Sequence, residues 1–279
     1  MAFFVRLCDS FGGEISCFQK GFFRNVVALA IALCVSVSRR RDEAPRARAE
    51  GSGGKVLALL VMRSVFGTVG IFANFYALSK IHIGDAMTLN KTAPFFTVLF
   101  SWMFLGERIG AKGAAILAFA FCGAALVMKP GFGGADAFPA AAALVGGLGA
   151  GAAYACVHRL GTLRCPASRT VVFFSAFSCI LSLPLAAATY SRMTLAQLFI
   201  LLGAGAGAAI GQFGVTAAYR YSEPRSIAAF DYMNVIFTAM FGFFFFGQVP
   251  DMLSVAGFAV IFAAAMLSAA MKTKTAQGA

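Results

Sequence analysis

The sequence has little charge and few of the groups that enzymes use for chemistry. Asp, Glu, Lys and Arg make up only 12% of its 279 residues, and it has two histidines and one tryptophan. Its seven cysteines form no Cys-x-x-Cys pair and mostly lie in or beside apolar runs, which favours free buried thiols over a disulfide framework or a metal site. It has no ATP-binding motif, and no paired acids or Ser/His pair at one depth. These absences argue against an ATP-driven process, against an enzyme and against a bound cofactor.

What the sequence does contain is long apolar runs. Apolar residues account for 60% of the chain, and the mean hydropathy is +0.82, outside the range of soluble proteins. A bilayer core about 30 Å thick needs roughly 20 apolar residues per helix. Because no period-2 strand pattern occurs, we predict an all-α integral membrane protein with apolar runs near 18–37, 56–78, 86–105, 113–129, 138–157, 171–189, 195–218, 227–246 and 252–271. Oxygen-bearing side chains that can cap helix N-termini precede four of these runs: Asp85, Thr194, Ser226 and Asp251.

The N-terminus looks like the end of a tenth helix. The segment MAFFVRLC precedes the polar DSFGGE, and eight residues reach only about 12 Å. No small-residue cleavage site follows, as a signal peptide would need. We therefore expect the first helix to be largely truncated in this chain, with a reading frame that extends upstream by roughly 15–20 apolar residues. A stub in place of the first helix is the alternative.

Two stretches of the chain align without a gap. DAMTLNKTAPFFTVLFSWMFLGERI at 85–109 matches SIAAFDYMNVIFTAMFGFFFFGQVP at 226–250, with shared Phe, Thr and Gly positions. We predict a duplication, with a first repeat over 1–130 and a second over 138–272.

The basic residues indicate how the repeats are oriented. Fifteen of the 23 Lys and Arg residues fall on one side of the predicted helices, six of them in the loop 38–55. By the positive-inside rule this side, with the tail 273–279, is cytoplasmic. We interpret the loop as a flexible topology determinant, with anionic lipid as an alternative partner. The net charge of +12 therefore reflects topology, with no nucleic-acid partner implied. The two repeats run in opposite directions, which is typical of secondary transporters.

The motifs resemble a known family. YALSKIHIGDAMTLNKTAPFFTVLFSWMFLGERI, its second-half counterpart and the glycine-rich helix that ends in a lysine are similar to the EamA-type branch of the drug/metabolite transporter superfamily, over residues 1–272. The resemblance implies a ten-helix inverted-repeat (5+5) fold, cytoplasmic termini and a central cavity that moves small organic metabolites across the inner (cytoplasmic) membrane. The chain departs from the family in its short first helix and in Gln248, which replaces a glutamate.

Polar residues on apolar helices are the candidate substrate-binding residues. Ionisable and amide groups in a membrane span generally face the bundle interior or a wet cavity, although asparagines also form hydrogen bonds between helices. Arg63, Gly67, Gly70 and Asn74 share one face of a helix. The cavity candidates are Lys91, Asn90, Asn74, Gln212, Asn234 and Tyr219.

A second set of residues is predicted to act in gating. Arg63 and Asp231 lie at similar depths from the cytoplasmic side, so we hypothesise an ion pair that forms when this side closes; a static pair that holds helices together is the alternative. Pro94 is expected to loosen its helix near the middle and to free a carbonyl that the cavity could use. Arg24 is interpreted as structural or snorkelling.

Lys91 has three explanations. It can snorkel to the outer interface, lose its proton, or face the cavity beside Asn90 and Pro94 and receive an anionic group of the substrate. Under the last hypothesis the substrate is an anion or zwitterion, because Arg63 and Lys91 outnumber Asp231.

Two glycine pairs on apolar runs, Gly147/Gly151 and Gly207/Gly211, predict close helix packing, with sliding during transport as the alternative.

Together these features predict a secondary transporter of an amino acid-like, anionic or zwitterionic metabolite that works by alternating access. Uptake of a charged cofactor such as S-adenosylmethionine is an alternative; a non-transporting membrane scaffold and an intramembrane enzyme are alternatives from other classes. Besides the substrate and the lipid bilayer, a coupling proton or ion and a homodimer remain open.

Overall fold

Helices make up nearly all of the part of the chain that the structure describes. The structure is a computed structural model, and it describes residues 2–43, 53–105, 111–128, 137–221, 237, 240–249 and 251–276. Within these ranges there is no strand, and the all-α prediction is confirmed. The helices are α1 (Ala2–Ser10), α2 (Cys17–Glu43), α3 (Gly53–Lys80), α4 (Ile83–Asn90), α5 (Ala93–Leu105), α6 (Ala111–Met128), α7 (Ala137–Thr162), α8 (Ala167–Ala188), α9 (Leu195–Tyr221), α10 (residues 240–246) and α11 (Met252–Ala276).

Five of these helices are long and apolar enough to cross a bilayer: α2, α3, α7, α8 and α9. Two shorter apolar segments lie within α6 and α11. Large apolar side chains such as Ile180, Phe199 and Ile210 point away from the bundle. Such a surface suits contact with lipid, because the exposure of large apolar side chains to water is unfavourable. The count of ten spans stays a prediction.

The predicted helix caps are confirmed at two places and wrong at one. Thr194 Oγ1 accepts a hydrogen bond from the Gln197 backbone N–H at 3.2 Å, and Asp251 Oδ1 accepts one from Ser254 at 2.8 Å. Asp85 does not cap, because α4 begins two residues earlier and Asp85 lies in its first turn. Ser226 lies outside the described residues.

The apolar run 86–105 is broken near its start. α4 ends at Asn90 and α5 begins at Ala93, with Pro94 in the first turn of α5. Proline has no N–H to donate to the carbonyl four residues earlier, here that of Asn90, so the break falls where Pro94 predicts it. The Thr92 hydroxyl donates to the Leu89 carbonyl at 2.6 Å and stabilises the turn.

Glycines let α7 approach both α3 and the broken helix. A Cβ at Gly149 would lie 2.7 Å from the carbonyl oxygen of Phe66 on α3. On the other side, a Cβ at Gly147 would lie 3.0 Å from the Asn90 carbonyl, and one at Gly151 would lie 2.7 Å from that of Ala93. Side chains would force these backbones apart, so the packing prediction for Gly147/Gly151 is confirmed.

The glycine pair on α9 behaves differently. A Cβ at Gly207 or Gly211 would meet none of the described atoms within 4 Å. The described residues therefore give no support to the packing prediction for this pair.

A buried ion pair joins α1, α2 and α3 at one end of the bundle. Lys20 Nζ donates to Asp9 Oδ2 at 2.7 Å and to the Ser79 hydroxyl at 2.6 Å. Arg6 on α1 donates to the carbonyls of Leu78 and Ser79 at the end of α3, at 3.1 and 2.7 Å. These contacts tie the short α1 to the ends of two long helices.

Candidate functional site

A cavity of about 160 Å³ lies within the bundle, between α1, α2, α3, α4, α7, α8 and α9. Much of its lining is apolar or glycine. The polar groups on its described wall are Arg24, Arg63, Asn74, Asn90, Tyr154 and Gln212. A small number of polar groups in an apolar cavity is the usual composition of a small-molecule site.

Arg63 is the most constrained of these groups. Its residue is only 2% exposed. The guanidinium is seated beside Gly67, one turn along α3, where a Cβ would lie 3.1 Å from Nη1. The Phe174 ring stacks on it at 3.6 Å, and Nη2 donates to Gln212 Oε1 at 2.9 Å. Helices α3, α8 and α9 therefore fix the position of this cation together.

Two further donor atoms of Arg63 have no partner in the part of the chain that the structure describes. Nε and Nη1 are buried and have no hydrogen-bond partner among the described residues. A buried charged group usually has its donors paired, because desolvation without compensation is costly. The site therefore has a fixed cation with open donor atoms.

Two asparagines form a second polar group in the cavity. A Cβ at Gly146 would lie 3.0 Å from Asn90 Nδ2 and 3.1 Å from Asn74 Cβ, so both side chains meet at this glycine. Asn74 Oδ1 is buried and has no hydrogen-bond partner within the described ranges. It offers an acceptor to a donor group that enters the cavity.

Arg24 and Tyr154 are cavity residues that the sequence interpretation missed. Arg24 is 4% exposed and its Nη1 donates to Asn25 Oδ1 at 2.8 Å, so the snorkelling interpretation is wrong. The Tyr154 ring stacks on Tyr219, with centroids 4.5 Å apart and planes at 18°. A signal existed for Arg24, since an ionisable group within an apolar run marks a functional site by default. None existed for Tyr154.

The described wall of the cavity is positively charged. Two arginines line it, and none of the lining residues within the described ranges is an acid. A low-dielectric cavity with this wall favours an anionic group over a cationic one.

The structure separates the predicted site residues into three groups. Asn74, Asn90, Gln212 and Arg63 line the cavity. Lys91, Tyr219 and Pro94 do not belong to its described lining: Lys91 is 8% exposed and forms the turn after α4, Tyr219 is buried against Tyr154, and Pro94 is buried at the start of α5. Asp231 and Asn234 lie outside the described residues, so the predicted gate stays a prediction.

Comparisons with known proteins relate this chain to membrane transporters. The model of the EamA-like transporter family matches residues 1–129. The pseudopaline exporter of Pseudomonas aeruginosa is 30% identical over 71% of this chain and 70% of its own. A riboflavin transporter of Rhizobium johnstonii is 31% identical over 75% of this chain and 67% of its own. Solute carrier family 35 member G1 of Homo sapiens is 26% identical over 71% of this chain and 58% of its own.

The fold also has a counterpart of known structure. One crystal structure superimposes on 97% of this chain and 92% of its own, with a TM-score of 0.71 and 16% sequence identity. At this identity the likeness concerns the fold alone.

Proposed function

Because this chain belongs to the EamA-like transporter family, within the drug/metabolite transporter superfamily, we propose that it is a secondary transporter that moves a small organic anion or zwitterion by alternating access. The protein is a multi-pass membrane transporter of small metabolites and not an enzyme. The proposal adds the substrate class and the mechanism.

The observation that carries the proposal is the cavity with its two arginines. It lies among apolar helices, in which ionisable side chains generally face the bundle interior or a wet cavity. Arg24 and Arg63 together favour a substrate with a carboxylate or phosphate, such as an amino acid-like metabolite. They offer no acidic partner to the sulfonium of a cofactor such as S-adenosylmethionine, since none of the described lining residues is an acid.

The size of the cavity bears on the state of the transporter. Sites for drug-sized ligands usually enclose about 300–1,000 Å³. The described cavity, at about 160 Å³, is smaller, so a substrate as large as those named for the relatives would require it to widen. We propose that the structure represents a narrow state of the alternating-access cycle, and that the break between α4 and α5 is one place where the wall can move.

The remaining features of the proposal follow from the charge distribution. We place the protein in the inner membrane with its C-terminus in the cytoplasm, built from inverted repeats over 1–130 and 138–272. A gradient of a proton, another ion or a second substrate would supply the energy. A homodimer is compatible with this arrangement.

Flux measurements test the proposed function. The purified full chain is reconstituted into liposomes, and uptake of a panel of radiolabelled carboxylates, amino acids, phosphorylated metabolites and cationic amines is measured with and without an imposed proton gradient. We expect saturable flux of at least one anion or zwitterion, above that of protein-free liposomes. Saturable flux restricted to cations would contradict the substrate class, and an absence of flux across the whole panel would contradict the proposal.

A further inference from the structure

We infer that the cavity binds an elongated solute by its two ends, with an anionic group at Arg63 and a hydrogen-bond donor at Asn74. The inference deepens the proposed function and rests on it for the role of the cavity. It assigns a place to each end of the substrate and a length to the molecule between them.

The anionic end is assigned by the contacts of Arg63. Phe174 covers one face of the guanidinium, and Nη2 donates a hydrogen bond to Gln212 Oε1. Nε and Nη1 have no partner among the described residues, and the residue as a whole is only 2% exposed. A carboxylate or phosphate oxygen is the natural acceptor for these donors, and hydrogen bonds between ionised groups are about twice as strong as neutral ones.

The donor end is assigned by Asn74. Its Oδ1 is buried and without a described partner, and it lines the same cavity. The missing side chain of Gly146 lets Asn74 and Asn90 approach the α7 backbone closely, where a Cβ would lie about 3 Å from both side chains. An ammonium or amide N–H of the solute would satisfy this acceptor, which otherwise stays desolvated without compensation.

The separation between the two ends follows from helix geometry. The guanidinium is seated at the level of Gly67, and Asn74 is seven residues further along α3. Seven residues are close to two full turns, so the backbone positions of Gly67 and Asn74 lie on one face of α3, about 10 Å apart along the helix axis. An extended peptide backbone advances about 3.3–3.6 Å per residue, so a chain of roughly three residues would bridge them.

The shape of the cavity between the two ends limits the side groups. Gly70 and Gly146 line this part of the wall, and a Cβ at Gly70 would lie only 3.0 Å from the Gly146 carbonyl. The two backbones are therefore close together here. The fitting solute is a narrow, linear anion with a nitrogen donor at its far end.

Oligoglycines are suitable probes, because they have a carboxylate and an ammonium group but no side chains. Triglycine has the required length, diglycine is too short, and triglycine amide lacks the anion. Binding to the full chain in detergent can be followed through the unfolding temperature with a thiol-reactive dye, since Cys8, Cys156 and Cys165 are buried and free in the folded protein.

We expect triglycine to raise the unfolding temperature, and to bind about tenfold or more tightly than triglycine amide or diglycine. Arg63→Gln should remove the preference for the acid over the amide, and Asn74→Leu should remove the preference for triglycine over diglycine. Arg169→Gln is the matched control, because Arg169 is an exposed arginine outside the cavity lining and its loss should leave both preferences intact.

Three binding results would overturn the inference: equal shifts with triglycine and its amide in the natural protein, no shift with any of the probes, or an Arg63→Gln variant that folds and still prefers the acid. The proposed function fails separately. Binding that depends on Arg63 without flux of any metabolite in liposomes would remove transport and keep the site. Saturable flux that is indifferent to Arg63 would keep transport and remove the site.

Discussion

Two buried cations of this protein differ in how their charge is compensated. Lys20 has a fully buried side chain, and its ammonium contacts the Asp9 carboxylate and the Ser79 hydroxyl at 2.7 and 2.6 Å. Arg63 is nearly as buried, but its contacts among the described residues are one hydrogen bond to a neutral amide and one aromatic face. Its nearest fixed neighbours therefore position the guanidinium without neutralising it.

This difference separates a structural cation from one that is available to a ligand. A buried ion pair with complete hydrogen bonding holds its helices together, and the loss of one member leaves an uncompensated charge. A buried cation with open donors costs stability in the empty protein, and this cost is offset when an anion binds. We interpret Lys20 as the first kind and Arg63 as the second.

The largest expected effect comes from removing the structural cation. Lys20→Met leaves the carboxylate of Asp9, whose side chain is only 14% exposed, without its cationic partner. We expect a loss of about 3–5 kcal/mol in the free energy of unfolding, because a buried charge becomes unpaired. Thermal or denaturant unfolding in detergent measures this loss.

The double variant Lys20→Met/Asp9→Asn is the control for this prediction. Removing both charges should recover most of the stability, since no unpaired ion remains. If the single and double variants are equally destabilised, the loss comes from packing and the ion pair is not the cause.

A smaller effect on the free energy of unfolding is expected when Arg63 is replaced. Arg63→Gln removes a cation whose charge has no counter-ion among the described residues, so the empty protein should change by no more than about 1 kcal/mol, or gain stability. The same unfolding assay without ligand provides the comparison. A loss as large as that of Lys20→Met would mean that Arg63 is a structural cation as well.

The position of the Arg63 guanidinium can be changed without altering its charge. A Cβ at Gly67 would lie 2.9 Å from the Phe174 ring and 3.1 Å from Arg63 Nη1. Both atoms are side-chain ends that can shift, so Gly67→Ala should cost less than about 1 kcal/mol while displacing the guanidinium and weakening binding of anionic probes.

Gly211→Ala is the matched control for this substitution. A Cβ at Gly211 would meet none of the described atoms within 4 Å, so this variant should bind as the natural protein does. Unchanged binding of triglycine by Gly67→Ala would show that the position of Arg63 does not matter.

The smallest effect on anion binding is expected at Lys91. It is absent from the described cavity lining, so Lys91→Met should keep the preference for triglycine over its amide. The sequence-based hypothesis, in which Lys91 receives the anion, predicts that this preference and transport are both lost. The same binding assay therefore decides between Lys91 and Arg63 as the anion-binding residue.

The sequence predicted those features that depend on local periodicity. Run length and hydropathy located the long helices, Pro94 located the break between α4 and α5, and helical spacing placed Arg63, Gly67, Gly70 and Asn74 on one face. All four line the cavity. These features depend on residues a few positions apart, whose geometry the helix itself determines.

Features that depend on packing between helices could not be predicted. Gln212 and Phe174 reach Arg63 from α9 and α8, more than a hundred residues away in sequence. The Lys20–Asp9 pair likewise depends on how α1 folds back against α2. Of the two interpretations of Arg24, only snorkelling is excluded, because snorkelling and inward-facing arginines look the same in a linear sequence and only the burial of the side chain separates them.

The most direct test compares the two cations in one flux experiment. Liposomes containing the natural protein, Arg63→Gln, or the charge-neutral pair Lys20→Met/Asp9→Asn are assayed for saturable flux of the anionic metabolite that the panel identifies, with equal amounts of folded protein. The account predicts that flux is lost in Arg63→Gln and retained in the Lys20/Asp9 double variant. Flux in Arg63→Gln equal to that of the natural protein would contradict it.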